Sequence, residues 1–106
     1  MSKFMRILVF FDLPVMTKAE RKAYTRFRKF LLKDGYTMLQ FSVYTRVCNG
    51  EEGAQKHLRR LRQNIPNVNG AIRSLKVTEK QFESMDILLG VQTIDEKLGT
   101  NKTDFF

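Results

Sequence analysis

Hydrophobic positions fall into blocks separated by proline, glycine and charged residues. Residues 5 to 12 run Met5, Arg6, Ile7, Leu8, Val9, Phe10, Phe11, Asp12, an almost unbroken apolar stretch. That is the character of a central strand covered on at least one face, with Arg6 near its entry. The run ends on a carboxylate and breaks at Pro14. Thr17, Lys18, Ala19 and Glu20 then read as a capping box, with the Thr17 hydroxyl accepting from the Glu20 N–H while Glu20 reaches back. A helix should run from there to about Lys33. At 100° per residue, Ala19, Ala23, Tyr24, Phe27, Phe30 and Leu31 share one half of its wheel. Lys18, Arg21, Lys22, Arg26, Arg28, Lys29 and Lys33 fill the other half, with Leu32 the only apolar residue among them. Asp34 and Gly35 stop the helix, glycine taking readily to the left-handed conformation there.

From Tyr36 to Cys48 the chain alternates, with Leu39, Phe41, Val43 and Val47 on one side and Gln40, Ser42, Tyr44 and Arg46 on the other. This predicts one long strand, or two short ones joined by a bend. Asn49 and Gly50 turn the chain, and Glu51 and Glu52 suit a helix N-terminus. Ala54, Leu58, Leu61 and Ile65 follow as one narrow stripe, closed by Pro66 and the loop of residues 67–70. Ala71 to Val77 alternates as another strand, a helical turn begins near Thr78, and Ile87 to Leu89 is a further short strand candidate. Beyond Gly90 the pattern weakens; residues 99–103 read as flexible, before the terminal Phe105 and Phe106. The order predicts an α+β sandwich with both helices on one face of a small, mainly antiparallel sheet, most economically a ferredoxin-like arrangement. Residues 1–90 form that domain in this reading and residues 91–106 a tail. Asp12 then ends a central strand.

Charge changes the picture from fold to partner. The 106 residues carry 19 Lys+Arg against 11 Asp+Glu, a formal +8 with pI near 9.9. Between Thr17 and Lys76 there are 14 bases against 4 acids, whereas from Val77 onward 3 bases face 6 acids. The body therefore suits a polyanion and the tail a protein partner. The N-terminal apolar run is far shorter than the roughly 20 residues of a membrane helix, and no small-residue cleavage site follows it. Cys48 is the only cysteine, which excludes an internal disulfide and a zinc knuckle. The expected compartment is the cytoplasm.

Two features carry candidate chemistry. Asp12 reads either as a turn residue that bonds nearby N–H groups or as a ligand for Mg²⁺ or Mn²⁺ in phosphodiester chemistry. One protein oxygen rarely holds such an ion alone, so the second reading requires a symmetric pair, Asp12 facing its twin across a two-fold axis. The seven bases on the first helix are the second feature. Like charges three or four residues apart repel, so they weaken the helix unless an anion neutralises them. A phosphate backbone is the natural partner, and Lys56, Arg59, Arg60 and Arg62 extend the surface onto the second helix. No aromatic residue is interleaved among these bases, which favours a duplex backbone over stacked single-stranded bases. Two copies would then form one cationic saddle with an acid from each near the junction. His57 lacks an acidic partner in the pattern and is a poor candidate general base. Phe4, Phe10, Phe11, Phe27, Phe30, Phe41 and Phe82 read as core or subunit-interface side chains, and Gln40, Ser42 and Tyr44 as a strand face able to meet a second subunit.

The run Val9 to Pro14, the helix segments Glu20 to Tyr24 and Phe27 to Leu31, and the strand Gln40, Phe41, Ser42, Val43, Tyr44 together resemble the CRISPR-associated protein two family, in particular the branch of type II systems. Val77 to Phe82 adds to the likeness, which spans roughly residues 5 to 90. The resemblance implies a ferredoxin-like homodimer with its last strand crossing onto the neighbouring subunit. It also implies that Asp12 is the metal-binding and catalytic residue of a Mg²⁺- or Mn²⁺-dependent endonuclease. It further implies duplex prespacer DNA as ligand and a CRISPR integrase subunit docked by residues 91–106; the charge pattern read above offers Lys18, Arg21, Lys22, Arg26, Lys29, Lys33, Arg59, Arg60 and Arg62 to bind that DNA. The protein then bridges integrase dimers during spacer acquisition. The alternative is a toxin-like, metal-dependent endoribonuclease acting without an integrase.

Overall fold

The computed structural model describes residues 3–90. Strand β1 (Phe4–Asp12) leads to helix α1 (Lys18–Lys33), the hairpin β2 (Thr37–Gln40) and β3 (Val43–Asn49), helix α2 (Gly50–Arg62), strand β4 (Ala71–Thr78) and the short helix α3 (Glu79–Glu83). The four strands form one sheet in the order β2-β3-β1-β4, antiparallel throughout. This is the expected ferredoxin-like sandwich, with β1 central and Asp12 at its end.

The local chemistry explains the boundaries. Thr17 Oγ1 accepts from the Glu20 N–H at 3.1 Å while Glu20 Oε1 accepts from the Thr17 N–H at 2.9 Å, so two otherwise unpaired donors are satisfied at the start of α1. Gly35 ends that helix at φ +92°, and a Cβ there would sit 2.7 Å from Arg46 Nη1, so only glycine suits the position. Thr78 and Gln81 form a second capping box ahead of α3.

Alternation along β1 divides the sheet into two faces. Ile7, Val9 and Phe11 face α1 and α2 and pack in one core with Phe27, Leu31, Ala54, Leu58, Leu61, Tyr44 and Cys48. The Phe11 ring meets Tyr24, Phe27 and Tyr44 at centroid distances of 5.9, 5.3 and 5.6 Å. Each fully buried side chain of this size contributes about 1.5–3 kcal/mol. The opposite face carries Leu8 and Phe10 of β1, Val43 of β3, and Leu75 and Val77 of β4; with Leu39, Gln40 and Met85 these line an open hollow of about 220 Å³. At its entry end Arg6 forms a buried bidentate pair with Glu79 at 2.7 and 2.8 Å and lies 4.1 Å from the Phe82 ring centroid, which ties α3 to β1.

Four expectations need correction. The alternation between Tyr36 and Cys48 changes parity at the hairpin, where Ser42 takes φ +63° and the register slips between Met38 and Gln40. Tyr44 pairs with Val9 and so faces the helices; it is 1% exposed, and its hydroxyl accepts from Arg28 Nε at 2.9 Å. Gln40, Ser42 and Tyr44 therefore do not form a common outward face; the open face presents Val43. Ile65 lies beyond α2 and is half exposed, because the helix ends at Arg62 before its stripe is complete. Ile87 to Leu89 pair with no strand among the described residues; the run only lines an open hollow with Leu39 and Gln40 of the edge strand β2, and Leu88 and Leu89 are almost fully exposed. His57 does have an acidic partner: Asp34, buried at the end of α1, accepts from Arg60 Nε at 2.7 Å and lies 3.1 Å from His57 Nδ1, while its carbonyl accepts from Arg46. The tail at residues 91–106, with its expected docking role, lies outside the described residues.

Candidate nucleic-acid interface and metal site

The outer side of α1 is open to solvent. Lys18, Arg21, Lys22, Thr25, Arg26 and Lys29 line one open hollow of about 500 Å³, so five of the expected contact residues share one surface. Arg21 also donates to the carbonyls of Val15 and Met16 at 3.2 and 2.9 Å, which fixes the loop leading from Asp12 into the helix. The other four cations form no ion pair among the described residues and stay available to an anion. Lys33, Arg59 and Arg62 are exposed but lie outside this hollow. Arg60 is committed to Asp34, so it fastens α2 to the end of α1. Arg28 likewise turns away from the basic side to reach Tyr44.

Asp12 stands on the opposite side of the sheet. It follows Leu8 and Phe10 in the alternation and is exposed at the carboxyl end of β1, where Phe10, Asp12, Ser42, Val43, Ala71 and Arg73 line a shallow cleft of about 250 Å³. Three local restraints hold this strand end. The Phe11 N–H donates to the Ser42 carbonyl at 3.0 Å, and Ser42 itself sits at φ +63°, a conformation that non-glycine residues seldom adopt. Asp12 pairs across β4 with Ala71. Gly70, at φ +148°, passes so close that a Cβ would lie 2.7 Å from the Asp12 carbonyl oxygen. The carboxylate is thus presented on a rigid backbone.

Among the described residues no three His, Cys, Asp or Glu side chains come together, so a single chain closes no cage around a cation. A hydrated Mg²⁺ or Mn²⁺ needs only one or two carboxylates with substrate phosphate oxygens. The exposed Asp12 suits that role if a second copy brings its own. Reading the sequence alone misses Arg73, which enters the cleft only because β4 pairs with β1 with Ala71 opposite Asp12; no local pattern marks it.

Comparison with known proteins settles the lineage. The family model described as CRISPR associated protein Cas2 matches residues 5–85, nearly the whole described fold. The chain belongs to the Cas2 family. Relatives named CRISPR-associated endoribonuclease Cas2 include one from Acidovorax ebreus, 60% identical over 93 residues, covering 88% of this chain and 90% of that protein. Another, from Campylobacter jejuni, is 45% identical and covers 98% of this chain and 73% of its own. The Flavobacterium psychrophilum protein is 41% identical over 94% of this chain and 86% of that protein. The matched span of this Cas2 chain contains the Asp12 cleft and the basic hollow of α1 together. No helix of the described residues is long and apolar enough to cross a membrane.

Proposed function

We propose that two copies of this chain join through the open face of the sheet and hold duplex DNA against their basic α1 surfaces, bridging integrase dimers during spacer acquisition. The observation that carries this reading is the hollow lined by Lys18, Arg21, Lys22, Arg26 and Lys29, a cluster of like charge that an isolated helix tolerates poorly. Joining the apolar open faces buries Phe10, Leu75 and the rest of Val77 and leaves both α1 helices outward. It also brings the two Asp12 side chains, which end the same face, toward the junction. The two Asp12 carboxylates would hold a divalent ion there, which would supply an acidified water and offset charge on a phosphodiester, and the Ser42 and Gly70 contacts keep the Asp12 backbone in place.

The test pairs two variants. Replacing Lys18, Lys22, Arg26 and Lys29 together by alanine should weaken duplex binding and flatten its salt dependence by roughly 0.9 in log–log slope for each phosphate no longer neutralised. Asp12→Ala should leave binding and integration unharmed while removing any metal-dependent cleavage. Unchanged duplex affinity in the quadruple variant sinks the reading.

The relatives are named endoribonucleases, and we weigh as a second reading a metal-dependent endoribonuclease that needs no integrase. It predicts RNA cleavage by purified protein that stops on chelation and in Asp12→Ala, with no affinity for an integrase subunit.

A further inference from the structure

The Asp12 cleft contains one cation, and nothing in the fold accounts for it. Arg73 sits on β4 opposite Phe10, two residues along from Ala71, which is opposite Asp12. Asp12 and Arg73 are therefore diagonal neighbours on one sheet face, at a Cα separation of about 7–8 Å that long side chains readily span. Both line the same shallow cleft. The other strand arginines are engaged: Arg6 with Glu79, and Arg46 with the carbonyls of Asp34 and Val47. Arg73 forms no ion pair among the described residues, with Asp12 or with any other acid. An exposed guanidinium beside a rigid carboxylate, the two left unpaired, has the layout of a site for a cation and an anion together.

We infer that Arg73 is the phosphate-holding residue of the Asp12 site: its guanidinium fork grips the non-bridging oxygens of the phosphodiester whose metal Asp12 binds. This rests on the nuclease reading above and adds to it the group that positions the substrate. In hydrolysis the water oxygen bonds to phosphorus and one ester P–O bond breaks. The leaving oxygen takes up a proton, and the second water proton passes to solvent. Negative charge grows on the phosphoryl oxygens on the way, and a planar two-donor cation offsets it better than the point charge of a lysine.

The test uses the full chain with Mn²⁺ as wild type, Asp12→Ala, Arg73→Ala and Arg73→Lys. Two readouts are needed: cleavage of RNA and duplex DNA, and broadening of the ³¹P signal of dimethyl phosphate by protein-bound Mn²⁺. Arg73→Ala should slow cleavage by about 100-fold with Mn²⁺ affinity unchanged, and Arg73→Lys should restore part of the rate. The dimethyl phosphate signal should broaden on wild type and not on Arg73→Ala. Cleavage by Arg73→Ala at the wild-type rate overturns the role of Arg73 while leaving Asp12 in place. A loss of Mn²⁺ binding in Arg73→Ala also overturns it, by showing that Arg73 supports the metal site and not the phosphate. If wild type cleaves neither substrate, the nuclease reading fails separately. The ³¹P comparison then decides for Arg73, equal broadening on wild type and Arg73→Ala counting against it.

Discussion

The two faces of the sheet have opposite assignments. The helix-covered face buries Ile7 and Val9 completely and leaves Phe11 at 5% exposure, and its polar groups are nearly all tied down: Tyr44 by Arg28, Asp34 by Arg60 and His57. The open face leaves Phe10 at 38% and Leu75 at 52% exposure and ends in a carboxylate and an arginine that form no ion pair among the described residues. One face supplies most of the folding stability; the other keeps apolar surface and charge unspent. Contiguous apolar surface rimmed by polar residues marks an interaction site, so the proposed chemistry falls on the less tightly packed face.

Breaking the covered face should cost most. Phe27→Ala removes a 2%-exposed ring at the centre of the helix–sheet contact and should destabilise by about 3–5 kcal/mol in chemical denaturation. Leu75→Ala, on the open face, should lower stability far less at protein concentrations too low for self-association. Equal losses would abolish the distinction between faces.

The open face is not bare throughout: Leu8 and Thr45 are buried in it, at 4% and 1% exposure, and its entry end is closed by the Arg6–Glu79 pair. Glu79→Ala removes the bidentate acceptor of a buried guanidinium and should cost about 3–5 kcal/mol, whereas Glu51→Ala, which breaks an exposed pair with Lys76, should leave the denaturation midpoint where it is. A small Glu79→Ala effect would show that α3 is not fastened through Arg6.

A smaller and pH-dependent effect sharpens the contrast. Burial pushes the Cys48 thiol above its ordinary value of 9.0 and the Tyr36 hydroxyl well above its own, the latter having no hydrogen-bond partner among the described residues. In both groups the folded state prefers the neutral form. Their stabilisation is therefore complete below the unfolded pKa and is lost as pH rises toward the folded one. Denaturation midpoints should fall above about pH 9, and Cys48→Ala should lessen that slope, whereas Leu75→Ala should not.

Much of the covered face could be read along the chain, because its signals are local. Thr17 and Glu20 mark the start of α1, three and four residue spacing marks its buried stripe, and the run from Met5 to Asp12 marks the central strand. Non-local facts escaped. The face on which Tyr44 lands depends on its pairing with Val9 and on a parity change at Ser42 that leaves no trace in composition. The acid beside His57 comes from Asp34, 23 residues earlier, and Arg73 reaches Asp12 only across β1 and β4. Asp12 itself stood out since an acid closing an apolar strand is chemically conspicuous. How the bases divide is not legible along the chain either: Lys18, Arg21, Lys22, Arg26 and Lys29 share one hollow, Arg60 serves Asp34, and Lys33, Arg59 and Arg62 are exposed outside the hollow.

Sharing of one ion by two Asp12 side chains is tested most directly by co-folding wild type and Asp12→Ala in varied ratios and assaying metal-dependent phosphodiester cleavage. If each active site needs an aspartate from both copies, activity follows the square of the wild-type fraction, about one quarter at equal mixing. Activity proportional to the wild-type fraction, or cleavage undiminished in pure Asp12→Ala, contradicts the shared site.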